Sequence, residues 1–144
     1  MEALQRFIDA QRFGYETALK EMKAGEKRSH CIWYVFPQVK GLGRSPDSQF
    51  YGIDGLEEAK AYLEHPVLGK RLREITQEVL NHSGKNIYSI MGARIDAMKF
   101  KSSMTLFDTV SPNDIFAKAL GAFFNGMRDQ RTFQVLTHSR NPLQ

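Results

Sequence analysis

The chain has 144 residues, 42% of them hydrophobic and 25% charged, with a formal net charge of +4. That balance excludes a disordered chain, which buries too little apolar surface to offset its lost conformational entropy. The lone cysteine, Cys31, excludes an internal disulfide. With neither a cationic-apolar leader nor an apolar run of about 18 residues, a cytoplasmic protein with no membrane partner is expected.

From Leu4 to Met22 the apolar residues Leu4, Phe7, Ile8, Tyr15, Ala18, Leu19 and Met22 fall near a 3.6-residue period, and Gly25 supplies a stop. One long helix or two abutting ones is expected, with Phe13-Gly14 as the only interruption. Residues 30–36 combine β-branched and aromatic side chains, which favour a strand, although Pro37 and the short length also admit a buried helix. Gly41 to Pro46 is predicted to be a loop.

Asp54-Gly55-Leu56-Glu57 resembles a capping box, with the Asp54 carboxylate accepting from first-turn amides of a helix that runs to about Glu64. Pro66 suits the first turn of the next helix, whose stripe is Leu68, Leu72, Ile75, Val79 and Leu80. Residues 81–85 form a turn, Ile87 to Met91 a short segment ending at Gly92, and residues 95–110 a further helix. Ser111 to Asp114 supplies a cap and a first-position proline, ahead of the stripe Ile115, Phe116, Ala119, Leu120, Phe123 and Phe124. Asp129 caps a final short helix through Leu136. The expected architecture is mainly α: six or seven short helices, with at most a minor strand near residues 30–36. They form one globular domain over residues 1–140, with a flexible tail at 141–144.

The charge is concentrated. Residues 20–44 carry Lys20, Lys23, Lys27, Arg28, Lys40 and Arg44 against Glu21 and Glu26, which accounts for the whole net excess. A local basic face toward something anionic follows. Gly41-Leu42-Gly43 beside these cations offers backbone amides to phosphate or carboxylate, but it is neither a P-loop nor a dinucleotide fingerprint. On a helix, Asp96, Lys99 and Ser103 stand at i, i+3 and i+7 and share one face. His30 is a candidate acid or base near neutral pH. His30, His65, His82 and His138 are dispersed, so no metal is expected, nor any other cofactor.

Two blocks carry a family resemblance: Lys27-Arg28-Ser29-His30-Cys31-Ile32-Trp33-Tyr34-Val35-Phe36-Pro37-Gln38 leading into Gly41-Leu42-Gly43-Arg44-Ser45, and Asp96 through Phe107. With Phe7 to Gln11 and His65 to Gly69 they resemble domain-of-unknown-function family 1810, a bacterial family often called calpastatin without a mechanism behind the name. The resemblance implies a mostly helical fold and assigns no activity. Members usually carry tryptophan where this chain has Cys31, which argues against a nucleophilic thiolate there.

The residues themselves point first to recognition of a small anionic ligand, such as a nucleotide, an ADP-ribose-like compound or another phosphorylated metabolite. Arg28 and Arg44 would meet phosphate and Trp33 or Tyr51 a ring, with His30, Gln38 and Asp96 near the polar centre; Ser45 and Ser103 complete the ligand-binding set. If the protein is an enzyme, hydrolysis or glycosyl transfer suits this set, with Asp96 activating water and His30 or Lys99 stabilising charge. Without a placed base the pocket would serve a sensor or a sequestering protein. The alternatives are a nucleic-acid-associated module using the basic 20–44 region and a protein-interaction domain presenting Phe116, Leu120, Phe123 and Phe124.

Overall fold

A computed structural model describes residues 2–29 and 32–139, and all structural statements refer to these. After a three-ten turn at Glu2–Leu4 come nine α-helices: α1 Gln5–Ala24, α2 Ile32–Val35, α3 Pro46–Phe50, α4 Gly55–Glu64, α5 Leu68–Leu80, α6 Ile87–Met91, α7 Arg94–Val110, α8 Ile115–Phe124 and α9 Gln130–Ser139. No sheet forms among the described residues; the only β pairing there is an isolated parallel bridge between Val39 and Ile53. None of the helices is long and apolar enough to cross a membrane. His30, Cys31 and the expected tail at 141–144 lie outside the described residues.

The fold is mainly α, as the apolar periodicities require, and it departs from the sequence expectation in detail. The segment at 32–35 is helical rather than a strand. Ile32 and Val35, three apart, are both buried, and the Phe36 amide donates to the Ile32 carbonyl at 3.1 Å. Strand propensity mostly reflects packing on a pleated surface, and no neighbouring strand provides one here. This turn and α3, hidden behind Pro46, raise the count above six or seven.

Helix α1 is one uninterrupted helix. Gly14 in its middle is explained by packing, since a Cβ there would run into the Tyr34 side chain. The Asp54 side chain makes no cap bond. The reciprocal half of the expected box is instead made by Glu58, whose Oε1 accepts from the Asp54 amide at 2.9 Å. Pro66 sits in a turn ahead of α5, where His65 Nδ1 accepts from the Val67 and Leu68 amides. Pro112 likewise precedes α8 in a turn, and Asp114 is the cap, its Oδ1 accepting from the Ile115 amide at 2.7 Å.

Helix α7 is the central element, touching α2, α4, α6, α8 and α9. Leu68, Leu72, Ile75 and Val79 of α5 are buried in the same core as Phe100, Met104, Leu106 and Phe107 of α7. Each such side chain contributes about 1.5–3 kcal/mol through the water it no longer faces. Phe116 and Leu120 are fully buried, while Phe123 and Phe124 pack on Phe100 at 6.3 Å, so most of the α8 stripe is consumed internally.

Two carboxylates, Asp114 toward α5 and Glu21 toward the segment after α1, tie the fold together and set an acid limit. Burial opposes ionisation of Asp114, but the Ser111 hydroxyl, the Ile115 amide and Arg73 of α5 outweigh it and hold the carboxyl below its ordinary value. Glu21 is lowered in the same way: burial is outweighed by the Ser29 and Arg28 amides and the Ser29 hydroxyl. Groups depressed in the folded state stabilise it above their unfolded values, and that contribution is lost as pH falls through the folded values. The urea midpoint is therefore expected to fall as pH drops below the ordinary carboxylate range of about 4, with a shallower fall in Asp114→Asn.

Candidate functional site

The loop after Pro37, the start of α9 and one face of α7 enclose a cavity of about 480 Å³ lined by Trp33, Gln38, Leu42, Gly43, Arg44, Ser45, Ile95, Met98, Lys99, Ser102, Asp129 and Arg131. Its α7 wall follows from helical spacing: Ile95, Met98, Lys99 and Ser102 stand at i, i+3, i+4 and i+7. The loop wall is held by the Val39–Ile53 bridge, in which the Lys40 amide donates to the Ile53 carbonyl and the Ile53 amide to the Gln38 carbonyl, each at 2.8 Å. Gly52 permits this approach, because a Cβ there would lie 2.6 Å from the Lys40 Cα. Ser45 then caps α3, its Oγ accepting from the Ser48 amide at 3.1 Å.

Lys99 is the most constrained cation of the site. Its Nζ sits 3.9 Å from the centroid of a Trp33 ring and 3.6 Å from Asp96 Oδ1. Asp96 Oδ2 in turn accepts from Lys27 Nζ at 2.8 Å, with the Lys27 side chain only 5% exposed. One carboxylate thus serves two ammonium groups, and the second of them faces the cavity. Across the cleft, Arg131 is oriented by a 2.9 Å bond from Nη2 to the Leu42 carbonyl. The Arg44 guanidinium has no partner among the described residues.

Asp129 is the carboxylate of the cleft. Its Oδ2 accepts from the Thr132 amide at 3.1 Å and the Thr132 hydroxyl at 2.6 Å, capping α9. The Ser102 hydroxyl lies 2.9 Å from the same oxygen and 3.1 Å from the Met98 carbonyl, with one proton to give to either. A carboxylate so bonded caps α9 and ties it to Ser102 of α7.

Of the sequence-predicted residues, the structure brings Trp33, Gln38, Arg44, Ser45 and Lys99 together on this cavity, with Asp96 immediately behind Lys99. Arg28 is not among them: it is exposed beside Lys20, Glu21 and Glu26, 3.5 Å from Glu26. Ser103 is fully buried, and its hydroxyl finds no partner among the described residues. Tyr51 lies in a recess without room for a water-sized group, sharing Trp33 and Gln38 with the cleft, and packs on Phe50, Tyr34 and Phe7. Burial, aided by Asp47 and Asp9, pushes its phenol above the ordinary value, so it stays protonated near neutrality. His30 lies outside the described residues.

Sequence reasoning missed Ser102, Asp129 and Arg131 as site residues, together with Ile95 and Met98. The α7 residues follow from spacing alone, on the face next to that of Asp96 and Ser103. Nothing local marks Arg131, which reaches the cleft only because α9 packs on α7. Among the described residues, no group of three His, Cys, Asp or Glu side chains is placed to hold a metal ion.

A family model described as "Protein of unknown function (DUF1810)" matches residues 1–136. The chain is also similar to a solved structure, that of the conserved hypothetical protein Rv1873 from Mycobacterium tuberculosis. The two are 44% identical, the match covers 93% of this chain and 96% of the other, and the TM-score is 0.89. A search of curated proteins gave no match.

Proposed function

The chain belongs to this DUF1810 family of unknown function, and for it we propose that the cleft between the α7 face, the loop after Pro37 and the start of α9 binds a small anionic ligand. A nucleotide, an ADP-ribose-like compound or another phosphorylated metabolite has suitable chemistry. The observation that carries the reading is the lining of one cavity by three cationic side chains, Arg44, Lys99 and Arg131, against a single lining carboxylate, Asp129. Leu42, Ile95 and Met98 add apolar walls, and Ile95 is 65% exposed, as a ligand-covered residue at a mouth would be. Because Lys99 already covers one Trp33 ring, the uncharged body of a ligand meets these apolar side chains more than a free indole face.

The bonded state of Asp129 and the two lysines on Asp96 favour binding over base catalysis, so a sensor or sequestering role ranks ahead of hydrolysis. The nucleic-acid alternative loses support because the basic 20–44 segment is divided. Lys27 turns inward onto Asp96, Arg28 stands with two acids, and Arg44 faces the cleft. The interaction-domain alternative loses support because Phe116 and Leu120 are fully buried.

A thermal-shift panel of AMP, ADP-ribose, ribose 5-phosphate and adenosine tests the reading. A bound ligand at about 100 times its Kd should add about 2.7 kcal/mol of stability. Arg44→Ala and Arg131→Ala should each weaken binding by about 1.5–3 kcal/mol, the scale of a hydrogen bond to a charged group. Arg28→Ala should leave it unchanged. No shift from any phosphorylated compound, or loss of the shift in Arg28→Ala alone, would overturn the assignment of the cleft.

A further inference from the structure

We infer that the anionic end of the ligand carries two negative charges, as a phosphomonoester does, and that the cleft discriminates against singly charged carboxylates and phosphodiesters. The inference rests on the anion-binding reading above and concerns which anion. It follows from the charge built into the cleft and directly behind it. Arg44, Lys99 and Arg131 line the cavity against one lining carboxylate, Asp129, and behind them Lys27 and Asp96 offset each other. Three minus one leaves an excess of two positive charges.

The lysine part of that charge is fixed in position. Lys27, at 5% side-chain exposure and 2.8 Å from Asp96, has first claim on that carboxylate. Lys99 keeps the longer 3.6 Å contact, and the rest of its stabilisation comes from the Trp33 ring at 3.9 Å, which supplies no formal charge. Lys99 is therefore incompletely neutralised where it is only 18% exposed. Asp129, held by Thr132 and Ser102, makes no ion pair with Lys99 among the described residues. Two charges on one tetrahedral group would meet the guanidinium groups of Arg44 and Arg131 and the Lys99 ammonium together, with more acceptor oxygens than a carboxylate has. A nucleic-acid backbone, with one charge per phosphate, leaves half of the excess uncompensated at each contact.

Isothermal titration at about pH 8, where a phosphomonoester with a second pKa of about 6 is a dianion, separates the cases. The probes are phenyl phosphate, doubly charged, and methyl phenyl phosphate, which keeps the ring and carries one charge. Phenyl phosphate should bind at least roughly tenfold tighter, and in Arg44→Gln and Arg131→Gln that ratio should shrink by several-fold. Both arginines are exposed, so circular dichroism should show the variants folded. Equal affinity for the two probes would overturn the two-charge inference and leave the anion-binding reading standing. Binding of neither would take down both. A ratio unchanged in both folded variants would also overturn the inference, since the preference would then not arise from the charges of the cleft.

Discussion

Replacing Asp96 with asparagine is expected to destabilise the protein by about 3–5 kcal/mol, the scale for removing one partner of a buried ion pair. The carboxylate is 16% exposed, and it is the charge partner of Lys27, which is almost fully buried. Asparagine keeps the shape and removes the charge, so Lys27 would lose its ion pair and keep only the more distant charge of Glu21. The second change Lys27→Met should recover most of the loss, because a well-packed apolar side chain in place of a buried ion pair is often neutral or better. Urea unfolding of both single variants and the double variant checks this. A single-variant loss below about 1 kcal/mol would mean that the pair is as weak as a solvated surface pair.

Phe100→Ala should destabilise the fold by about 3–5 kcal/mol, the range for emptying a fully buried aromatic site. Phe100 has no solvent exposure and meets Phe36 edge-on at 4.9 Å, with Phe123 and Phe124 on its other sides. It also follows Lys99 directly, while Phe36 lies two residues before Gln38, so the aromatic pair joins two walls of the cleft behind its lining. The variant should therefore lose ligand affinity beyond what its folded fraction explains. Titration calorimetry at a temperature where circular dichroism shows it folded measures that excess, and unchanged affinity would detach the pair from the geometry of the cleft.

The helices with long apolar stripes were legible because periodicity and burial are the same fact seen twice. Leu68, Leu72, Ile75 and Val79 had to share a face, and that face had to be covered. Stop and cap positions were legible where one residue performs the role alone, as Gly25, Gly92 and Asp129 do. They are not legible where neighbours share it, as at Asp54, whose bond is made by Glu58, and at Pro66, where His65 does the capping. Four-residue α2 carries too little periodicity to outweigh the strand preference of its side chains.

The site was half legible. Trp33, Gln38, Arg44 and Ser45 stand close in sequence and stay close in space. Asp96, Lys99 and Ser103 do share a helical side, but a turn of about 100° per residue separates the core-facing Ser103 from the cleft-facing Ser102. Arg28 and Arg44 looked alike as cations of one basic stretch, and only the path of the chain sends them to different surfaces. Arg131 depends on tertiary packing and left no trace in local sequence.

The Val39–Ile53 bridge has one further consequence, for evolvability. Val39 and Ile53 are both sunk in the core, so the strap between them, which carries Arg44, Ser45 and α3, begins and ends at pinned points. The entropy of closing such a strap grows only logarithmically, by about 0.6 kcal/mol for each doubling of its length. Insertions and deletions in the exposed stretch around Arg44 can thus resize the mouth of the cleft and reposition its arginine while α7 and the packed helices keep their registers. In related chains, ligand size should vary with the length of this strap, and the core should not change with it.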